Sequence, residues 1–266
     1  MTLDTPPLPA SPWQRLPNAL SSAVLLAIVG LFFIAAPPDL LDKLNLIGFA
    51  LCHRLPERSF VIDGHQLPLC ARCTGIYLGL LIGTLSLIVR RRTRASRLPA
   101  TPIIVALIGF IVIMGIDGLN STISVIPNAP QLWHTTNFLR ITTGTLYGLA
   151  ISMLFPPFFN LAVWSQPTGN RTLKSWRELL PMLIVAAVAI TIVQAKPDWL
   201  LYPIALISIG GALALLSLIN SIFVLSAMKL ENAIGRWQQL ARPLLFGLAL
   251  GLIEITLLDL LRAASL

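Results

Sequence analysis

Charge is what this chain has least of. Lysine, arginine, aspartate and glutamate make up 11% of its 266 residues, against roughly a quarter in an ordinary soluble domain. So few polar groups cannot cover a water-soluble globule, and that class is excluded. Long polar stretches are missing as well: the widest gap between oily runs is about thirty residues, too little for a soluble domain of ordinary size. Only three cysteines are present, which excludes a disulfide framework and the two cysteine pairs on which membrane thiol relays generally run. The sequence carries no P-loop, no Rossmann glycine pattern and no serine-nucleophile elbow, and no internal repeat of the kind that marks an inverted-repeat transporter.

What is present is apolar: 56% hydrophobic residues and a mean hydropathy of +0.81. Runs long enough to cross roughly 30 Å of hydrocarbon as helix extend over Asn18 to Ala36, Leu69 to Val89, Thr101 to Leu119, Trp133 to Phe155, Leu179 to Gln194, Trp199 to Ala227 and Pro243 to Leu261. The expected fold is therefore an all-α polytopic membrane bundle of seven transmembrane helices. Residues 1–17 form a Pro-rich cytoplasmic tail, and residues 18–266 a single transmembrane domain. The tail carries one arginine, Arg15. It lacks the basic n-region of a signal peptide, so the first span is read as a retained helix.

Lysine and arginine in short loops stay on the cytoplasmic side. Placing Arg90-Arg91-Arg92-Thr93-Arg94-Ala95-Ser96-Arg97 inside puts the N-terminus, Asn160 to Glu178 and Met228 to Arg242 inside too. Those segments hold twelve cations against three acids, a balance of +9; the remainder sums to −1, consistent with the net +8 of the whole chain. The expected topology is N-terminus in and C-terminus out, in the cell membrane. The basic loop is accounted for by topology and acidic lipid headgroups, so the bilayer is the expected partner and nucleic acid is not.

Alternation then places every cysteine and histidine outside: the cysteines, His53 and His65 in an extracytoplasmic hairpin spanning about residues 46–73, and His134 at the start of the fourth span. Cys70 and Cys73 sit at a helix start marked by Pro68, where free amides and the helix dipole favour thiolate. Cys52, with an imidazole from His53 or His65, would complete a Cys3His set, a recognised zinc arrangement. Three thiolates and a neutral imidazole around a divalent ion leave a charge of −1, which Arg54, Arg58 or Arg72 can balance. Cys52 and His53 are adjacent, so both can face one ion only where the backbone turns. The alternatives are thiol-disulfide exchange with quinone and a structural disulfide with one buried thiol.

Arg140, two turns into its expected span, is costly in lipid and calls for a partner. Asp117 on the preceding span is the expected one. Arg58, Arg72 and Arg140 together can form an anion pocket, because arginine offers bidentate donors to phosphate and carboxylate. Asn137, Thr143 and Ser121 suit either ligand contact or interhelical bonding. Glu254 is expected to be a half-buried carboxylate bonded to a neighbouring helix. Glycines at fourfold spacing (Gly75, Gly79 and Gly83; Gly144 and Gly148; Gly247 and Gly251) mark the second, fourth and seventh spans as a tight central bundle.

Cys52-His53-Arg54-Leu55-Pro56-Glu57-Arg58-Ser59-Phe60, Pro68 to Gly79 with its Cys70-Ala71-Arg72-Cys73-Thr74-Gly75-Ile76-Tyr77 core, Asp117-Gly118 and Thr136 to Gly144 resemble the signature of a family of small prokaryotic multi-pass membrane proteins, a domain of unknown function. The resemblance covers about Cys52 to Gly148. It implies His53 rather than His65 as the imidazole, since the His65 and His134 positions vary in that pattern, and it links Asp117, Asn137 and Arg140 to the cysteines. No activity comes with it. The functional expectation is an outward-facing site with Cys52, His53, Cys70 and Cys73 on zinc or iron, Arg58, Arg72 and Arg140 on an anionic or lipid-like ligand, and Asp117 and Asn137 in support. The alternatives are an accessory subunit of a larger energy-transducing membrane complex, partnered by other membrane subunits, and a thiol-quinone oxidoreductase.

Overall fold

The computed structural model describes residues 18–124, 126, 130 and 132–264; the expected cytoplasmic tail, residues 1–17, lies outside them. Eight helices follow in order among the described residues: α1 (Asn18–Ala35), α2 (Leu40–Leu51), α3 (Ala71–Val89), α4 (Thr101–Ile123), α5 (Asn137–Val163), α6 (Trp176–Ala195), α7 (Leu201–Ala227) and α8 (Trp237–Ala264). The last six are long and apolar enough to cross a membrane, and α1, of 18 residues, occupies the first expected span. The fold is a polytopic helical bundle.

Helix α2 was not expected; its segment was read as loop. Its 12 residues reach about 18 Å at 1.5 Å per residue, too short to span. The Asp39 carboxylate caps it, accepting from the Leu41 amide at 2.9 Å, and Leu41, Leu44 and Ile47 are buried against the neighbouring α7 and α8.

Short strand pairs close both ends. At one end β1 (Val61–Ile62) and β2 (His65–Gln66) form an antiparallel hairpin. Its turn residues Asp63 and Gly64 both have positive φ, 48° and 72°, the backbone of the turn whose twist matches paired strands. At the other end β3 (Ala95–Arg97) and β4 (Thr168–Arg171) pair in parallel. There Arg92 makes a bidentate pair with Glu178 at 2.8 and 2.9 Å, and Asn160 Nδ2 donates to the Thr93 and Ala95 carbonyls. Three of the segments that charge counting assigned to one side, 90–97, 160–178 and 228–242, thus meet at one end, and the cysteine segments meet at the other.

Helices α3 and α5 form the tightest pair. A Cβ on Gly75 or Gly79 would overlap the Ile141 or Thr145 carbonyl oxygen, and one on Gly144 or Gly148 would overlap the Arg72 or Ile76 carbonyl oxygen. Each backbone lies in the other's glycine notch, where dispersion contacts replace the hydrophobic drive that lipid cannot supply. The seventh span does not join this pair through its glycines. Gly247 meets the Ser217 carbonyl and Gly251 meets Leu216, so α8 packs on α7. Asn220 of α7 donates to Glu254 at 3.1 Å, and Glu254 is the half-buried, hydrogen-bonded carboxylate expected of it.

Helix ends depart from the hydropathy limits where polar chemistry decides them. Helix α5 starts at Asn137 rather than Trp133, because Thr136 Oγ1 caps it by accepting from the Leu139 amide at 3.2 Å. It also runs through Pro156 and Pro157 to Val163. Pro157 has no N–H for the Met153 carbonyl, and Thr172 Oγ1 supplies the missing donor at 2.9 Å, the repair that lets proline persist in membrane helices.

Candidate metal and anion site

Cys52 terminates α2 in extended backbone, φ −143° and ψ 147°. Two residues later Arg54 turns left-handed, φ 48°, so the chain changes direction just after the Cys52-His53 pair. Cys70 is the N-cap of α3 and Cys73 its third residue. The Cys70 amide donates to Cys52 Sγ at 3.4 Å, one of the otherwise unused first-turn donors of α3 serving a sulfur. All three Sγ atoms lie within 4.8 Å of one another; Cys52 and Cys70 are buried and Cys73 is half-buried.

Hydrogen bonds from the Cys70 and Cys73 thiols, reinforced by His53 and the Arg54 backbone, lower the Cys52 pKa against the effect of burial. The Cys70 thiol is pushed up, chiefly because it donates to Cys52. Arg54 lies within electrostatic range of the Cys52 sulfur while donating to Asn45 Oδ1 at 2.9 Å. Arg262, near the end of α8, donates to the Cys52 carbonyl at 2.8 Å.

His53 Nδ1 approaches Cys52 Sγ to 3.9 Å, but the mutually close ligand set is the three sulfurs alone. His65 is exposed on β2, away from the cysteines, and His134 is exposed.

Arg72, on the same first turn of α3 as Cys73, opens a second polar group. Asp117, 1% exposed, pairs with Arg72 through Nη2 to Oδ2 at 2.5 Å. This corrects the expected partnership with Arg140. Helix α5 begins later than hydropathy suggests, so Arg140 lies in its first turn. From there it reaches Asn137 Oδ1 at 2.9 Å and Ser121 Oγ at 3.4 Å. Thr143 Oγ1 donates to Asp117 Oδ2 at 3.3 Å, and Asn137 Nδ2 to the Ser59 carbonyl at 3.3 Å. Arg58 reaches Ser124 Oγ at 3.1 Å.

Arg140 stands within electrostatic range of Arg58, Arg72, Asp117 and Cys70. Three guanidiniums face one carboxylate. Arg72 Nε, Arg140 Nε and Asp117 Oδ1 are buried without a partner among the described residues. Buried polar atoms of this kind are normally satisfied, and the two unpaired guanidinium donors, in a centre whose net charge is positive, suit an oxyanion.

A family model described as "Predicted membrane protein (DUF2085)" matches residues 52–154. An uncharacterized protein of Methanothermobacter thermautotrophicus is 35% identical over 108 residues, 39% of this chain and 83% of that protein. The chain belongs to the DUF2085 family. An uncharacterized protein of Methanocaldococcus jannaschii is 34% identical over 110 residues, 41% of this chain; the match spans 64% of that relative's length. No solved structure matches. Within this DUF2085 chain the matched segment opens at Cys52 and closes in α5, so it contains all three cysteines, His53, Arg58, Arg72, Asp117, Asn137 and Arg140.

Of the supporting residues that sequence reading passed over, Asn45 and Arg262 lie outside that segment and Gln66 lies inside it. Asn45 and Gln66, whose Nε2 donates to the Arg54 carbonyl at 2.9 Å, carry no motif. Arg262 left one trace, a lone cation at the polar end of an oily helix.

Proposed function

We propose that this DUF2085 protein binds a zinc or iron ion at the outer face of the cell membrane through Cys52, Cys70 and Cys73, with His53 as fourth ligand. Beside it, Arg58, Arg72 and Arg140 hold an anionic or lipid-like ligand, with Asp117 and Asn137 fixing the arginines. The observation that carries the reading is the convergence of three sulfurs within 4.8 Å from two chain segments. Tetrahedral zinc with bonds of about 2.3 Å needs ligand sulfurs roughly 3.8 Å apart, so the donors fit after about 1 Å of contraction. His53, exposed and already at Cys52, closes the fourth position by rotation of its side chain. A bound divalent ion would act as a Lewis acid or as a structural clasp.

The chain's own contribution is to balance charge and exclude water. Arg54 and Arg262 flank Cys52, and Arg140 faces Cys70, so a thiolate-rich centre is compensated from both sides. The outward orientation is supported by the basic residues gathered at the opposite end of the bundle.

The test is elemental analysis of purified protein, with thiol state read by mass mapping of the same sample. Near-stoichiometric metal, lost in the Cys70→Ser, Cys73→Ser double variant, is expected. Wild type free of metal and carrying a Cys70–Cys73 disulfide would overturn the reading in favour of thiol exchange.

A further inference from the structure

The buried apolar side chains fall into two clusters. The larger runs through α2 to α8 and includes Leu87; the smaller, at the arginine end, includes Phe159, Trp164 and Leu240. Between them lies a cavity of about 420 Å³, walled by α3 through Leu87, α5 through Phe159, α7 through Leu218 and α8 through Leu244. That volume lies in the range of roughly 300–1,000 Å³ typical of small-molecule sites, which in bundles sit between helices. Ile88 and Ala214 line it and are exposed, so the cavity opens sideways toward the bilayer.

At its polar end the lining includes Thr93, Asn160, Trp164 and Trp237. The two indoles meet edge to face at 4.7 Å, and Arg94 lies against both, its guanidinium carbon 3.7 Å from the Trp164 ring and 5.1 Å from the Trp237 ring. Stacking holds the cation in place. Its Nη2 makes a long hydrogen bond, 3.5 Å to the Gly235 carbonyl, and its Nε is buried without a partner among the described residues. The cavity thus offers an apolar slot of acyl-chain character, a lateral entrance and, packed on the two indoles that line one end and next in sequence to the lining residue Thr93, a fixed cation.

We propose that this cavity is a binding site for an anionic lipid, with one acyl chain between α3, α5, α7 and α8 and the phosphate against Arg94. Charge complementarity selects the occupant: a neutral lipid would leave the guanidinium unpaired, a zwitterionic lipid would bring an ammonium into surroundings already rich in arginine, and free phosphate would leave the slot unfilled. The site is at the opposite end of the bundle from the cysteines and does not depend on the metal reading.

The experiment uses full-length protein, delipidated in neutral detergent and titrated with phosphatidylglycerol, phosphatidylcholine or inorganic phosphate under native mass spectrometry. One phosphatidylglycerol is expected to be retained at concentrations at least tenfold below those needed for phosphatidylcholine, with no comparable retention of phosphate. Arg94→Gln should bring the two lipids within about twofold, and Ala214→Phe, which fills the slot, should weaken phosphatidylglycerol at least tenfold. Equal retention of both lipids by wild type, or unchanged retention by Ala214→Phe, overturns the proposal. A wild-type measurement stands apart from variant folding: phosphatidylglycerol carrying a diazirine at its acyl terminus should crosslink to the Ala214 to Leu218 stretch. Crosslinks confined to outward-facing residues such as Val89 and Phe223 would overturn it as well.

Discussion

Arg72 on the first turn of α3 holds Asp117 of α4 at 2.5 Å, and Asp117, only 1% exposed, is the sole carboxylate among the three guanidiniums of the site. Removing one partner of a buried pair strands the other, at a cost of about 3–5 kcal/mol. Asp117→Asn is therefore expected to lower the thermal midpoint in detergent well beyond the effect of Asn120→Ala. Because the stranded charges are positive, sulfate or phosphate should recover part of the loss in Asp117→Asn and change wild type less. Fluorescence-detected thermal melts with and without the anion check both statements.

The α3–α5 contact predicts a sharp positional contrast among glycines. Gly79→Ala forces a methyl into the Thr145 carbonyl and should cost roughly 1–3 kcal/mol or more, the scale of overpacking a well-packed core. Gly109→Ala, where a Cβ meets nothing within 4 Å, should be neutral or slightly stabilising through helix propensity. Parallel melts of the two single variants measure the difference; equal midpoints would contradict the close approach.

Metal content should separate the two candidate imidazoles. His53→Ala is expected to weaken metal retention at least tenfold under chelator competition, whereas His65→Ala, on the exposed hairpin strand, should leave it within about twofold. Arg54→Ala should also weaken retention, by less, because it removes a compensating charge rather than a ligand.

The two ends of the bundle should label from opposite sides of the membrane. In a background without native cysteines, His65→Cys is expected to react with a membrane-impermeant maleimide applied outside intact cells. Ser96→Cys, on β3 at the arginine end, should react only after permeabilisation. The reverse pattern would invert the topology drawn from the basic loops.

Thr172→Val tests the repair of the proline gap in α5. Losing the bond to the Met153 carbonyl should cost about 1 kcal/mol, read as a lower thermal midpoint, and should be nearly neutral in a Pro157→Ala background, where the backbone donor is restored.

The sequence by itself determined the membrane class, the long helices and the division of polar segments between two ends, because lipid admits only helices with satisfied backbones and because cationic loops are sorted by side. It also determined that three cysteines belong to one site: the CxxC spacing sets two of them on one helix start, and Cys52 lies on the same side of the same span. Close approach of two glycine-bearing helices was legible for α3 and α5. The partner of α8 was not, since Gly247 and Gly251 advertise a notch without naming what fills it.

Tertiary structure alone decided the pairings. Arg140 and Asp117 stood at matching depths on paper, but hydropathy places a helix start only to within a turn, and Thr136 capping moved Arg140 to a different neighbour. Arg72 took the carboxylate because the glycine contact brings its helix turn against α5 and within reach of α4. Helix α2, with five leucines in 12 residues, was too short to register as a span. Arg262 reaches the Cys52 carbonyl across 210 residues of sequence, a contact that no local pattern encodes. Periodicity and charge are summed over whole segments and survive small errors in register; an ion pair depends on a single register, which is set only when all the helices pack.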